Sequence, residues 1–278
     1  MSSTHSTWEE AVAWYRSSAG TSEIRANYFD LPLVDAARRY RHSAEFRHVQ
    51  RIMQRAPGRA VLDLGAGNGI ASYAFAAVGW CVEAVEPDPS DVVGSQAIVD
   101  LARRENLPIR VHRGVGERIP AGDRSIDAVH ARQVLHHLDD LRGGLAEMHR
   151  ILRPGGLVLA TREHVVDDDE QLERFLSSHP LHGRYGGENA HPLDGYLAAA
   201  DSAGLDFVRL WGPWETPINA HPQSEWQRRR RWARCLATAA ARRGTASAVT
   251  GRPPSLRDRA RAVDRSPGRL YTFLFRKA

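Results

Sequence analysis

The chain has 278 residues, of which 42% are hydrophobic and 26% are charged, so its composition is that of a folded globular protein. It has two cysteines, Cys81 and Cys235, which excludes a disulfide framework and a cysteine-ligated zinc site. No stretch approaches the roughly 20 apolar residues that cross a bilayer, and the polar first ten residues lack the apolar core of a secretory signal. We therefore expect a cytoplasmic protein without a membrane span.

Positive charge is concentrated near the C-terminus. The net charge is +5, and residues 226–265 hold twelve arginines and two aspartates, a net charge of +10, which leaves −5 for the rest. This basic segment could grip an anionic substrate, RNA or a phospholipid surface. The segment also fits a solvent-exposed helical insertion, in which the aliphatic part of each arginine packs on the protein surface and the guanidinium stays in water. Because only Trp226 and Trp232 could stack on bases there, we favour the insertion and expect no nucleic-acid partner.

An N-terminal helical cap is predicted over 1–55, and the Pro57-Gly58 pair ends its last helix. Short strands and helices then alternate. Strands are predicted at 61–64, 81–86, 109–112, 126–131 and 157–161. The intervening helices are predicted at 70–78, 90–104 and 139–152, the last with Asp139 as its N-cap. This alternation favours parallel strands with crossover helices, in which ligands bind beyond the carboxyl ends of the strands.

The remainder is less regular. It is predicted to hold a helix at 167–178, a glycine-rich loop at 179–191, a helix at 193–203, a strand at 205–210, the basic segment and a last strand at 270–275. The predicted fold is therefore α/β, a Rossmann-like, seven-stranded, mostly parallel sheet with helices on both faces. Its main domain, 56–278, divides into a cofactor-binding half (56–165), substrate-side elements (166–265) and the last strand (266–278).

The stretch VLDLGAGNG, residues 61–69, is the most informative motif. Its three glycines let the backbone pass close to a ligand, and the helix that follows offers its N-terminal amides. The spacing is G-x-G-x-G, and Ile70 and Ser72 occupy the positions where a dinucleotide fingerprint needs glycine or alanine. A pyrophosphate ligand is therefore disfavoured. Glu86, at the end of the second strand, can accept hydrogen bonds from both hydroxyls of a ribose.

Five stretches together resemble the class I S-adenosylmethionine-dependent methyltransferases. They are VLDLGAGNG (61–69), VEAVEPDPS (82–90), GVGERIP (114–120), SIDAVHARQVLHHL (125–138) and LAEMHRILRPGG (145–156). The resemblance covers about residues 55–165 and is greatest to the small-molecule branch, which includes quinone-ring C-methyltransferases and natural-product O- and N-methyltransferases. It implies S-adenosylmethionine as cofactor and S-adenosylhomocysteine as product. The expected reaction is methyl transfer to an oxygen, nitrogen or carbon nucleophile of a small molecule, in specialised metabolism or in the modification of a sugar or lipid, and a homodimer is possible.

The resemblance also implies cofactor-binding positions. The loop after the first strand would hold the methionine part, and Glu86 the ribose. Residues at 116–117 would flank the adenine, and those at the end of the fourth strand would lie by the reacting centre. The predicted set is Tyr28, Asp63, Gly65, Ala66, Gly67, Asn68, Gly69, Glu86, Pro87, Gly116, Glu117, Ala131, Arg132, Gln133 and His136.

The acceptor is harder to predict, because the sulfonium is already activated and the enzyme mainly aligns the nucleophile and excludes water. A general base helps when the nucleophile is a hydroxyl, an ammonium or an enolisable carbon. The predicted catalytic residues follow strands four and five or lie in the 179–191 loop, and they are Glu163, His164, His137, His182 and His191.

Several alternatives stay open. The loop histidines could instead hold a divalent metal together with Glu163 and His164, or merely bond the backbone, although our prediction includes no metal. The aromatics Trp14, Tyr15, Tyr28 and Phe29 could form a lid over the cofactor or ordinary core. For the whole protein, the alternatives are an RNA methyltransferase that uses the basic segment and a cofactor-binding protein that no longer transfers methyl groups.

Overall fold

The structure, a computed structural model, describes residues 6–241 and 254–278. Its strands are β1 (Ala60–Leu64), β2 (Cys81–Val85), β3 (Ile109–His112), β4 (Ile126–Arg132), β5 (Leu152–Val166), β6 (His191–Pro192), β7 (Leu205–Trp211) and β8 (Arg269–Lys277). Within the described residues they form one eight-stranded sheet in the order β3-β2-β1-β4-β5-β8-β7, with β6 beside β5. Strands β1 to β6 pair in parallel, and β8 is antiparallel to β5 and β7.

Helices cover both faces of this sheet. They are α1 (Trp8–Ser18), α2 (Thr21–Ala26), α3 (Leu33–Arg41), α4 (Ala44–Met53), α5 (Ile70–Ala76), α6 (Ser95–Arg104), α7 (Leu141–Ile151), α8 (Asp169–Ser178), α9 (His182–Tyr185), α10 (Leu193–Ser202), α11 (Pro217–Ala220), α12 (Glu225–Ala241) and α13 (Leu256–Arg261). A 3₁₀ turn spans Leu135–His137. The predicted mostly parallel α/β fold is confirmed. The two-residue β6 is an additional strand that is too short to show an alternating pattern.

The N-terminal helices do not all act as a cap. In α4, Phe46, Val49 and Met53 recur at helical spacing, and all three are buried in the core on one face of the sheet. The α4 N-terminus is capped by the Ser43 hydroxyl, which accepts a hydrogen bond from the Phe46 amide at 2.9 Å. Helix α1 instead packs its buried Ala11 and Tyr15 against the 179–191 loop. A boundary at residue 55 stays a prediction.

Several predicted boundaries were wrong for local reasons. Helix α6 begins at Ser95 rather than Ser90, because the Ser90 hydroxyl accepts from the Val92 and Val93 amides and holds a turn there. The N-cap of α7 is Asp140 rather than Asp139, since the Asp140 carboxylate accepts from the Gly143 amide. Strand β5 is longer than predicted, and the predicted 179–191 loop contains α9 and reaches β6.

The basic segment forms α12 and α13 and pairs much of its charge within the fold. Arg228 and Arg229 both contact Glu225 at 2.7 Å, and Arg261 contacts Glu215. Further arginines stack on Trp226 and Trp214. The predicted members Arg242, Arg243 and Arg252 lie outside the described residues. These pairings favour a structural role, and the lack of a nucleic-acid partner stays a prediction. Among the described helices, none is long and apolar enough to cross a bilayer.

Candidate active site

A cavity lies at the carboxyl ends of the parallel strands, between the loop after β1 and helix α1. Its lining includes seven of the predicted cofactor residues, namely Asp63, Gly65, Ala66, Gly67, Asn68, Arg132 and Gln133. Its lining also includes His137, His179 and Glu188, and the aromatic residues Trp8, Tyr15 and Phe29. The cavity therefore brings a polar glycine loop, titratable side chains and aromatic rings to one place.

The glycine loop adopts backbone angles that suit glycine. Gly65, Gly67 and Gly69 have φ of 58°, 55° and 82°, in the left-handed region where a side chain is strained. A Cβ atom at Gly65 would lie 2.6 Å from a methyl group of Val134, whereas one at Gly67 would meet nothing within 4 Å. A side chain at Gly67 is thus disfavoured by the backbone conformation alone. A side chain at Gly65 is disfavoured both by the backbone conformation and by its contact with Val134.

This difference predicts unequal effects of one added methyl group. Gly65→Ala should lower the free energy of unfolding by about 2–4 kcal/mol, because it combines left-handed strain with overpacking. Gly67→Ala, its matched control, should cost only the strain of about 1–2 kcal/mol. Urea denaturation of both variants measures this. Equal losses would show that Val134 moves away freely.

The Asp63 carboxylate is held by two neighbours. The Ser72 hydroxyl donates to Oδ2 at 2.6 Å, and His130 Nδ1 lies 2.9 Å from Oδ1. His130 stands beside Asp63 in the register of β1 and β4, and it is fully buried. His130 was not among the residues predicted from the sequence, although it lies inside the predicted fourth strand. This pair orients Asp63, whose neighbours in the loop line the cavity.

Glu86 lies behind the same loop. Its carboxylate accepts from the Gly67 amide at 2.7 Å and from the Asp88 amide at 3.0 Å. Burial raises the pKa of Glu86 to about 7, even though both amides favour the ionised form. Glu86 therefore lies next to the glycine loop, with one carboxylate oxygen on the Gly67 amide and the other on the Asp88 amide, and its role as a ribose partner stays a prediction.

The end of β4 carries a buried ion pair. Arg132 donates to the Glu45 carboxylate of α4 at 2.8 Å, and its guanidinium lies over the rings of Tyr28 and Tyr40. Burial alone would raise the pKa of Glu45, but Arg132 and Arg162 outweigh it and lower the pKa. Helix α4 is thus tied electrostatically to the cavity wall.

Removing one charge of this pair should be costly. Glu45→Gln leaves Arg132 without its countercharge in a buried place, and we expect a loss of about 3 kcal/mol in unfolding free energy. The control is Glu105→Gln, which breaks a pair with the half-exposed Arg38 and should cost no more than about 1 kcal/mol. Thermal and urea unfolding measure both. Equal costs would contradict a special role for the buried pair.

The other predicted cofactor residues do not line the cavity. The Tyr28 ring is buried against Tyr40 and His221, and only its carbonyl reaches the loop, where it accepts from Asn68 at 3.0 Å. A Cβ at Gly116 would lie 2.5 Å from a methyl group of Leu138. The predicted cofactor residues that do not line the cavity are Tyr28, Gly69, Glu86, Pro87, Gly116, Glu117, Ala131 and His136.

Two of the predicted catalytic residues are buried beside the cavity. The Glu163 carboxylate accepts from the amides of Val134 and His136 and lies 2.6 Å from His136 Nδ1. His164 Nδ1 lies 2.7 Å from the Gly268 carbonyl oxygen, so this nitrogen carries the proton. Burial lowers the pKa of His164 to about 3 and also lowers that of His136. Glu163 therefore orients the 3₁₀ turn and does not line the cavity.

The other predicted catalytic residues, His137, His182 and His191, do not all line the same cavity. His137 lines the cavity, and its Nδ1 lies 2.8 Å from the Gly187 carbonyl oxygen. His191 lines a neighbouring cavity that also includes His137, and His182 lies on α9. The alternative metal set that the sequence left open, Glu163, His164, His182 and His191, is not brought together. Glu188 and His179, which line the cavity, were not among the predicted catalytic residues, although both lie in the predicted 179–191 loop.

The aromatic residues divide between the two roles considered for them. Trp8, Tyr15 and Phe29 line the cavity, whereas Tyr28 is core. Trp14 instead lies under the Arg184 guanidinium, 4.2 Å from its ring centroid. A lid role for the lining rings stays a prediction.

Comparison with known proteins agrees with this geometry. Residues 62–160 match a family described as "Methyltransferase domain". A demethylmenaquinone methyltransferase of Corynebacterium efficiens is 38% identical over 101 residues, which are 36% of this chain and 40% of the relative. The chain spans about two fifths of the length of the first curated relatives it matches.

Solved structures share the fold. A putative sarcosine dimethylglycine methyltransferase from Galdieria sulphuraria has a TM-score of 0.61 and 18% identity, covering 97% of this chain and 98% of the other. The geranyl diphosphate C-methyltransferase of Streptomyces coelicolor A3(2) has a TM-score of 0.58 and 17% identity, covering 84% and 76%. Residues 62–160 therefore form a methyltransferase domain, whose glycine loop resembles that of the class I S-adenosylmethionine-dependent methyltransferases, and the solved structures share its fold.

Proposed function

We propose that the protein transfers the methyl group of S-adenosylmethionine to a hydroxyl oxygen of a small molecule. The observation that carries this proposal is the cavity itself, which is lined both by the glycine loop and by His137, His179 and Glu188. The cofactor's methyl group must be presented in such a place, beside groups that can take a proton. The names of two relatives, a demethylmenaquinone and a geranyl diphosphate methyltransferase, support a small-molecule acceptor.

The cavity also suits an acceptor with an apolar part. Trp8, Tyr15 and Phe29 present rings from α1 and from the segment that follows α2. Such rings bury apolar surface and exclude water from the reacting centre. The acceptor would therefore lie with its hydrophobic portion toward α1 and its hydroxyl toward His137.

His137 is the proposed base. Its Nδ1–H donates to the Gly187 carbonyl oxygen, which leaves the lone pair of Nε2 free. The hydroxyl proton would pass to this nitrogen as the oxygen bonds to the methyl carbon and the carbon–sulfur bond breaks. S-adenosylhomocysteine then leaves as a neutral thioether.

A labelling experiment tests the proposal. The purified protein is incubated with S-adenosylmethionine that carries tritium in its methyl group and with extract of the source cells, which is then separated into small molecules, RNA and protein. We expect label in a small-molecule methyl ether, lost in Glu86→Ala. Label in RNA would instead identify RNA as the acceptor and would indicate that the basic segment binds it. No label despite cofactor binding would identify a protein that does not transfer methyl groups.

A further inference from the structure

A second cluster of polar side chains adjoins the cavity. His136, His164 and Glu188 each place one potential ligand atom within 4.8 Å of the others, and His136 Nε2 is 3.7 Å from a Glu188 oxygen. They come from the 3₁₀ turn, from β5 and from the loop before β6. The same carboxylate lies 3.9 Å from His137 Nε2 and 3.8 Å from His179 Nδ1. Imidazole nitrogens thus surround one carboxylate.

The two buried imidazoles, of His136 and His164, are each held in place by a contact at Nδ1. His136 Nδ1 contacts the Glu163 carboxylate at 2.6 Å, and His164 Nδ1 donates to the Gly268 carbonyl oxygen at 2.7 Å. Both Nε2 atoms are buried and have no hydrogen-bond partner among residues 6–241 and 254–278. An unpaired buried polar atom costs about 1–3 kcal/mol, so two beside one carboxylate indicate a missing ligand. A carboxylate or carbonyl that holds the far nitrogen is the usual support of a metal-bound histidine.

We propose that His136, His164 and Glu188 bind a divalent transition-metal ion such as Zn²⁺. Zinc–nitrogen bonds of about 2.1 Å place tetrahedral ligands about 3.4 Å apart, so small side-chain rotations would close the cluster around an ion. Two neutral imidazoles and one carboxylate suit zinc or iron, whereas Mg²⁺ and Ca²⁺ prefer oxygen ligands. This set differs from the one that the sequence suggested, with which it shares only His164.

The position of the ion suggests its use, and this step rests on the proposed function. Glu188 lines the same cavity as Gly65 and Gln133, so a coordination position left open by three protein ligands would face the acceptor. An acceptor hydroxyl bound there would have a lowered pKa and would give its proton to His137. The resulting oxyanion would bond to the methyl carbon as the carbon–sulfur bond breaks. The acceptor would therefore be an alcohol or a phenol.

Metal titration tests the site without acceptor or cofactor. Chelator-treated protein is titrated with Zn²⁺ by calorimetry and with Co²⁺ by visible absorption. We expect one equivalent to bind, and Mg²⁺ to give no heat. Glu188→Gln should weaken binding at least about 100-fold, since loss of an outer-shell partner alone costs 10–100-fold. His42→Ala, an exposed histidine elsewhere, is the control. Equal affinity in Glu188→Gln and the wild-type protein would overturn the site.

Two further measurements separate the site from its role. Circular dichroism must show that Glu188→Gln is folded, and His164→Asn supplies a second variant that should also lose the Co²⁺ absorption. Chelation should stop transfer to the acceptor found by labelling, and Zn²⁺ should restore it. Transfer that continues without metal would overturn the catalytic role. Metal binding without any methylated product would retain the site and contradict the proposed function.

Discussion

Replacing Glu86 with alanine is expected to weaken S-adenosylmethionine binding at least about 100-fold. The Glu86 carboxylate is 6% exposed and sits behind the glycine loop, where it accepts from the Gly67 amide at 2.7 Å. When the cofactor binds, two ribose hydroxyls would donate to this carboxylate, and hydrogen bonds to a charged group contribute about 1.5–3 kcal/mol each. Isothermal titration calorimetry measures the loss directly.

A matched control lies on the strand that precedes Glu86. Glu83 is on β2, three residues before Glu86, and pairs with Arg110 and His112 at the sheet edge. Glu83→Gln should therefore bind the cofactor as the wild-type protein does. If both variants lose affinity equally, the effect comes from damage to β2 and not from a lost ribose partner.

The same carboxylate sets the pH dependence of binding. Burial raises the pKa of Glu86 to about 7, so much of the free protein carries a protonated Glu86 below that pH. The ribose hydroxyls donate and thus favour the ionised form, so binding below pH 7 must also release a proton. Affinity should fall about tenfold for each pH unit below 7 and be level above it. A flat profile between pH 5.5 and 8 would contradict this assignment.

Replacing His137 with alanine is expected to lower kcat about 10²- to 10⁴-fold while cofactor affinity stays unchanged. This is the usual contribution of a positioned general base. The Gly187 carbonyl oxygen holds Nδ1 at 2.8 Å, so the ring is oriented with Nε2 available to the cavity. The measurement is the initial rate with the acceptor identified by labelling, together with cofactor binding by calorimetry.

The conservative variant separates chemistry from packing. His137→Gln retains a polar side chain of similar reach but cannot accept the hydroxyl proton as an imidazole does. Its kcat should be as low as that of His137→Ala. Recovery of the wild-type rate in His137→Gln would assign His137 a positioning role, and another group would then be the base.

Local sequence was sufficient for the fold and for the glycine loop that lines the cavity. The β1 strand, the glycines at 65, 67 and 69 and the helix after them are contiguous, and short-range backbone geometry determines their shape. The alternation of strands and helices predicted the parallel sheet for the same reason. Errors arose where short-range hydrogen bonds compete, as at Ser90 and Asp140.

The contacts among the histidines and carboxylates beside the cavity could be found only from the tertiary structure. His164 and the Gly268 carbonyl are 104 residues apart, and Glu163 reaches the 3₁₀ turn 27 residues before it, so their spacing in sequence carried no sign of contact. The same holds for the acids that pair with the arginines of the basic segment. Glycine loops follow from local torsion preferences, whereas a cluster of side chains from separate segments exists only once burial has brought those segments together. The sequence alone therefore determined the fold and the glycine loop, and the tertiary structure decided which histidines and carboxylates meet beside it.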